Sequence, residues 1–239
     1  EEAYAESPGN IRDLALPANQ QLLAQAAIAT GKPIILILAE GRPRLITDIA
    51  ASSAAILMSY WSGKKTGEAI AAVLSGQYNP AGKLPFSYPR SMGEMVLYDR
   101  KPTENIREIF NENVTMNGYD PLFAFGYGLS YTRFEYRGLK ADRAVLRGSD
   151  TIRFQVRVRN TGSREGQETV ELYTRDQYAS ITPNTRRLRA YQKITLKAGE
   201  EQLVEFRLTR TDLAFVNAAL QTVTEPGQFD AMIGNETIS

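Results

Sequence analysis

The sequence predicts an α/β unit followed by an all-β unit, and three observations carry that prediction. Apolar runs of strand length, Ile34 to Leu38 and Ala54 to Trp61, alternate with helical stretches in the first half. From Ile152 onward the apolar period switches to two, with turn residues between short runs. The 239 residues supply enough chain for two domains of about 100 to 150 residues, each with its own core. The expected architecture is α/β plus all-β: part of an open α/β sandwich, with a mostly parallel sheet and flanking helices over residues 1–135, then an antiparallel β-sandwich over 136–239.

Leu16-Pro17 opens the first helix, since proline suits a first helical turn, and Leu22, Leu23, Ala26, Ala27 and Ala29 give it a stripe that stops at Thr30-Gly31. Ile34 to Leu38 is a continuous aliphatic run, the pattern of a parallel strand buried on both faces. Glu40 to Pro43 turns the chain, Arg44 to Ala51 fits a short helix, and Ala54 to Trp61 is the next strand. Ser62 to Gly67 then leads into a helix over Glu68 to Leu74. Its Gly-Lys-Lys-Thr-Gly order lacks the spacing of a nucleotide phosphate loop, so a tight strand-to-helix connection is the reading.

Asn79 to Pro89 is rich in turn formers around a short strand bracketed by proline, which belongs at a sheet edge. Arg90 to Asp120 reads as a long surface loop. Asn113-Val114-Thr115 and Asn235-Glu236-Thr237 fit glycosylation sequons, which carry weight only in a secreted eukaryotic protein. Pro121 to Tyr136 interleaves aromatic residues with glycines, as a strap across a domain junction would. Beyond it, Ile152 to Arg159, Thr169 to Thr174, Gln192 to Leu196, Gln202 to Leu208 and Gln228 to Ile233 read as the strands of an immunoglobulin or fibronectin type III kind of sandwich. The polar residues alternating from Arg153 to Arg159 form a solvated sheet face.

Composition narrows the chemistry. With no Cys there are no disulfides, thiolate metal sites or thiol nucleophile; with no His there is no Ser-His-Asp triad. Acid–base work therefore falls to Asp, Glu, Lys or Tyr. A formal net charge of +1 with interspersed signs offers no field for a polyanion, so neither nucleic acid nor membrane is an expected partner. The longest apolar run, Pro33 to Ala39, is far shorter than the roughly 20 residues of a membrane helix.

In open α/β sheets ligands sit outside the carboxyl ends of the strands. Arg42, Trp61 and the Gly63 to Gly67 turn should share that rim. Trp61, the sole tryptophan, is either a sugar-stacking platform or a core filler, and packing is the commoner use. Glu1 to Asp13 joins the rim if it follows a strand. Pro8 and Gly9 make it a loop, with Glu2 and Glu6 flanking an irregular turn. Taken alone, these residues are an ordinary solvated acidic loop.

Several segments in this order resemble the carboxy-terminal part of glycoside hydrolase family 3 enzymes, the β-glucosidases and their relatives. They are Glu-Glu-Ala-Tyr-Ala-Glu at Glu1, Leu-Ala-Leu-Pro at Leu14, Gly-Lys-Pro-Ile-Ile-Leu-Ile-Leu at Gly31 and Gly-Arg-Pro at Gly41. Tyr-Asn-Pro-Ala-Gly-Lys-Leu-Pro-Phe-Ser-Tyr-Pro at Tyr78 and Pro-Leu-Phe-Ala-Phe-Gly-Tyr-Gly-Leu-Ser-Tyr-Thr-Arg-Phe at Pro121 follow. Val158 to Gly162, Glu168 to Tyr173 and Leu196 to Glu200 extend the match through the sandwich, so it covers nearly the whole chain.

The resemblance implies the second half of an α/β domain joined to a fibronectin type III-like domain. The Asp nucleophile and most sugar-binding residues would lie in an upstream barrel domain. In members with a Gly-Glu-x-x-Tyr-x-Glu loop the last Glu is the general acid/base; that position is Glu6 here, with Glu2 and Tyr4 matching the frame. Glu2, Tyr4, Arg42 and Trp61 are the candidate substrate-binding residues. A retaining glycosidase needs two carboxyl groups about 5 to 5.5 Å apart and no more, so no metal or organic cofactor is implied.

The implied function is part of an exo-acting β-glucosidase acting on β-glucosides or cello-oligosaccharides. The alternatives are a β-xylosidase of the same family or a non-catalytic carbohydrate-binding module. Expected partners are the β-linked substrate and the barrel, with a homodimer also compatible. The family implies secretion or a periplasmic location, and the start at Glu1, inside loop material, is what a fragment of a longer protein would show. Where many relatives carry Tyr-Pro-Gly and two further glycines, this chain has Trp61-Ser62-Gly63-Lys64-Lys65-Thr66-Gly67, and Met92 to Asn117 has no alignable pattern. Both leave the aglycone preference open.

Overall fold

The computed structural model describes residues 13–93, 97–102, 108–111, 114–116 and 119–239. The chain divides into two compact units, one within Glu1–Tyr78, Pro85–Val96 and Asp120–Phe125, the other within Asn79–Leu84, Leu97–Tyr119 and Gly126–Ser239. The chain passes between them several times, the last time inside the aromatic and glycine segment, at Phe125/Gly126.

In the first unit, helix α1 (Ala18–Ala29) has Pro17 at its N-cap and ends at Thr30, where Gly31 takes a φ of 68°. Left-handed φ is open to glycine without a Cβ clash, which is why the helix stops there. Strand β1 (Ile35–Leu38) pairs in parallel with β2 (Ala55–Met58), in the register Leu38 to Met58. Between them lies the single-turn helix α2 (Thr47–Ala50). A 3-10 turn at Gly63–Lys65 then leads into α3 (Thr66–Leu74).

Four expectations change in this unit. Among the described residues the sheet of this unit is the two-stranded parallel pair β1–β2, with one further parallel bridge between Ala15 and Leu45, so the larger expected sheet is reduced to that pair, and the chain's other sheets are antiparallel. Strand β1 is not buried on both faces: Ile35 and Ile37 are 49% and 39% exposed, because no described segment covers their side. Strand β2 stops at Met58, and Tyr60 takes a φ of 52°, which breaks the extended backbone before Trp61. The proline-bracketed segment forms only a single antiparallel bridge, Tyr88 to Phe123, since proline at 85 and 89 limits the ladder on each side.

The second unit holds the sandwich. One sheet runs β5 (Phe134–Ala141), β6 (Thr151–Asn160) and β9 (Glu201–Thr209). The other is ordered β13 (Glu236–Ile238), β12 (Phe229–Ile233), β7 (Gly166–Asp176) and β8 (Arg187–Leu196). Alternate residues of both sheets meet in one core, with Val156, Val158, Val170, Leu172, Leu196 and Ile233 fully buried. A 3-10 turn at Arg210–Leu213 precedes a two-residue hairpin, β10 (Phe215–Val216) and β11 (Thr222–Val223).

Within Arg90 to Asp120, expected to be loop throughout, β3 (Glu108–Asn111) and β4 (Val114–Met116) pair as an antiparallel hairpin. Strand β8 begins five residues earlier than its predicted Gln192, because its first part is paired with β7 and not buried alternately.

The two most specific sequence motifs have a structural explanation. Leu84 N–H donates to Tyr127 O at 2.9 Å and Gly126 N–H to Leu84 O at 2.8 Å, so the two segments run against each other. A Cβ on Gly128 would lie 2.1 Å from Gly82 O, an approach no side chain permits. Lys83 reaches buried Glu168 at 3.4 Å, and Tyr136 donates its hydroxyl to the same carboxylate at 2.8 Å. A buried carboxylate needs such partners.

Candidate functional site

Parallel pairing brings the carboxyl ends of β1 and β2 side by side. Ser59, just past β2, donates both its N–H (2.9 Å) and its hydroxyl (3.0 Å) to Leu38 O. Arg42, half-buried on the turn after β1, and Trp61, 39% exposed after β2, therefore stand at the same end of the strand pair, as the sequence predicts. The carboxyl-end geometry follows from parallel strands alone.

Three residues that the sequence reading did not single out shape this end. Glu40, two positions past β1, is 3% exposed. Tyr88 is equally buried and its hydroxyl lies 2.7 Å from both Glu40 Oε1 and Arg44 O, which share its one proton, while Arg44 N–H donates to it at 3.2 Å. Burial foremost, then the Glu40 carboxylate, pushes the Tyr88 hydroxyl well above the usual tyrosine range, so it stays a donor. Glu40 is thereby held as a structural carboxylate that fixes the turn carrying Arg42. The third is Tyr60, whose φ of 52° is rare for a side chain of its size and re-aims the chain ahead of Trp61. Burial raises the Tyr60 hydroxyl as well. A carboxylate right after an aliphatic strand was the one legible signal; the left-handed Tyr60 left none.

Arg44 also ties down the approach to this rim. Leu45 N–H donates to Leu14 O at 2.9 Å, Ala15 and Leu45 form a parallel bridge, and the Arg44 guanidinium donates to Asp13 O at 3.2 Å. Asp13 is thus fixed beside the turn that follows β1. Glu2, Tyr4 and Glu6 lie outside the described residues. Among the described residues no group of three or more His, Cys, Asp or Glu could hold a metal ion.

The glycosyl hydrolase family 3 C-terminal domain matches residues 1–131, and a fibronectin type III-like domain matches residues 168–237. The chain belongs to glycoside hydrolase family 3. A lysosomal β-glucosidase of Dictyostelium discoideum is 39% identical over 98% of this chain and 29% of its own length. A β-xylosidase of Formosa agariphila is 38% identical over 95% of this chain and 31% of its own. The β-glucosidase of Listeria innocua, solved in complex with isofagomine, superimposes with a TM-score of 0.88 at 32% identity, over 96% of this chain and 34% of that one. The chain thus spans about a third of the family 3 proteins it matches, corresponding to their carboxy-terminal part.

Proposed function

We propose that this chain is the acid/base-bearing carboxy-terminal part of a retaining, exo-acting β-glucosidase, with residues 1–135 carrying the site and 136–239 the sandwich. Glu6 protonates the departing glycosidic oxygen and then deprotonates the attacking water. An upstream barrel supplies the Asp nucleophile about 5 to 5.5 Å away. Arg42 and Trp61 contact the sugar or its leaving group from the rim, and Glu2 and Tyr4 contribute further substrate contacts. The wider α/β sheet around β1 and β2 would be mostly parallel and would be completed by that upstream polypeptide.

The anchoring of Asp13 beside Arg44 carries this reading. Glu6 is seven positions before Asp13, a span of at most about 25 Å, so the chain is long enough for Glu6 to reach the strand-end rim of Arg42 and Trp61. The exposed Ile35 and Ile37 support it further, as an apolar face awaiting another layer. Action on a β-xyloside is the second reading, favoured by the similarity to a β-xylosidase at nearly the same identity.

The test is turnover of nitrophenyl β-glucoside and β-xyloside by this chain with and without its upstream polypeptide. Activity is expected only in the joined protein. There, Glu6→Ala should lower the rate by about 10²- to 10⁴-fold where the leaving group needs protonation, with partial rescue by azide. Unchanged turnover of such a substrate would remove Glu6 from the mechanism.

A further inference from the structure

The sandwich has a polar mouth that the proposed hydrolysis does not use. Residues directly opposite on neighbouring strands share a face, and Leu172 and Ala231 put the inner face of the four-stranded sheet in the core. Toward the end of β7 that inner face changes character. Thr174 lies opposite both Ala231 and Arg187, and Asp176 lies opposite Phe229. Leu172 pairs with Ala190 and Tyr173 with Leu188, so Arg189 is the extra residue of a β-bulge. The bulge shifts the register by one and turns Arg187 to the inner side, where an unbroken ladder would place its neighbours.

Thr174, Asp176, Arg187, Arg189 and Phe229 line a cavity of about 40 Å³, with Leu213 and Phe215 closing it from beyond β9. Among the described residues neither Arg187 nor Arg189 forms an ion pair. Their one side-chain hydrogen bond is from Arg189 Nε to Thr174 Oγ1, at 2.8 Å, which leaves the terminal nitrogens of both forks available. Burial first, and the neighbouring Arg187 second, depress the Arg189 guanidinium's affinity for its proton. Two like charges brought together at a half-buried site favour a counter-charge.

Asp212 and Asp176 act on Arg189 as opposite charges and offset part of this, but neither forms an ion pair with Arg187 or Arg189, and both accept other hydrogen bonds. Asp176 Oδ1 accepts from Tyr178 N–H at 3.1 Å, and Asp212 Oδ2 accepts from the Thr209 N–H and hydroxyl at 2.7 Å each. Lys101, also at the mouth, donates to Thr182 O and Asn184 Oδ1, both at 2.6 Å. Three cations and one carboxylate therefore line the space.

We propose that this inward-facing pair, Arg187 and Arg189, is a binding site for a carboxylate group carried by a small acid. One water needs about 10 to 15 Å³ by the same measure, so the cavity admits about three heavy atoms, the size of a carboxylate head and smaller than a phosphate. Planar guanidinium forks match a carboxylate's two oxygens. Phe215 and Phe229 offer apolar flanks to the body of the acid outside. The acid's source is either a sugar acid or an aromatic acid, since both present the same head on a six-membered ring. The site is independent of the hydrolytic reading.

The experiment is titration of the whole 239-residue chain, at constant ionic strength, with sodium glucuronate, sodium benzoate, methyl β-glucoside and inorganic phosphate, read by the arginine Nε–Hε resonances and by calorimetry. Saturable binding of glucuronate or benzoate is expected, with the tighter of the two naming the source, and weaker or absent binding of the glucoside and phosphate. Arg187→Gln should weaken the acid by about fivefold or more, and Arg187→Lys, which keeps the charge but loses the fork, should weaken it several-fold. Asp176→Asn should tighten it by about two- to fivefold by removing a like charge. Binding unchanged in both Arg187 variants, equal or tighter phosphate or glucoside binding, or no saturable binding of either acid would each overturn the proposal.

Discussion

The two units solve the problem of buried polarity in opposite ways. The strand-pair unit keeps little buried apolar surface, mainly Leu38, Ile46, Ile49 and Tyr88, and spends its buried hydrogen bonds on one turn, through Glu40 and Tyr88. Leu22, Leu23, Ile35 and Ile37 remain exposed in it. The sandwich instead closes an apolar core from both sheets and keeps its few buried polar groups, Thr132, Asn160, Glu168 and Thr174, toward the ends of strands or just beyond them. Asn160 is the clearest of these: it donates to Arg164 O and Leu196 O and accepts from Thr132 Oγ1 and Gly162 N–H, so every polar atom of a fully buried side chain is matched. The lesson is that stability is concentrated in the sandwich, while the strand pair spends its order on placing a rim.

That contrast can be broken at several points. The largest effect is expected from Leu172→Ala, which opens a cavity in the sandwich core and should cost about 2 to 5 kcal/mol, read as the shift of the sandwich transition in urea unfolding. An equal loss from Ile37→Ala in the strand pair would overturn the contrast, because a half-exposed side chain has less burial to lose.

Next comes Tyr88→Phe, which deletes the hydroxyl serving Glu40, Arg44 O and Arg44 N–H. It should cost about 1 to 3 kcal/mol of local stability. In the joined enzyme it should also lower activity, because the turn carrying Arg42 loses its anchor. Stability lost with activity intact would separate the turn from the site.

A smaller effect is expected from acid. Hydrogen bonds from Thr209 hold Asp212 below the usual carboxylate range, and the Ser239 hydroxyl does the same for Asp230. A lowered folded-state pKa gives stability that is present above the ordinary carboxylate pKa and is lost as pH falls through the lowered one. Sandwich stability should therefore decline from about pH 4 downward, and Asp212→Asn should flatten that decline. Asp176 runs the other way, raised mainly by burial, so Asp176→Asn should not flatten it. The smallest effect is expected from Leu22→Gln on the exposed side of α1, within about 0.5 kcal/mol by thermal unfolding of this chain.

The amino-acid order determined much of this without help. Pro17 and Gly31 bound α1 because proline and glycine act on their own backbone, and period-two alternation located β6, β9 and β12 because one face of each meets a core. The motifs at Tyr78 and Pro121 and the loop frame at Glu1 pointed to family 3 before any coordinate. Absent from the local pattern were the start of β8, the β3–β4 hairpin and strands β5 and β13.

Only tertiary structure decided which side chains meet. Tyr88 reaches Glu40 across 48 positions, and Lys83 reaches Glu168 across 85. Neither separation leaves a mark in a window of ten residues. One bulge at Arg189 turned Arg187 from an alternating surface residue into an inward-facing one. Strand periodicity fixes a face only while the register holds, and register is set by the partner strand, so inward charge in the sandwich and the Tyr88 anchor at the rim both had to wait for the fold.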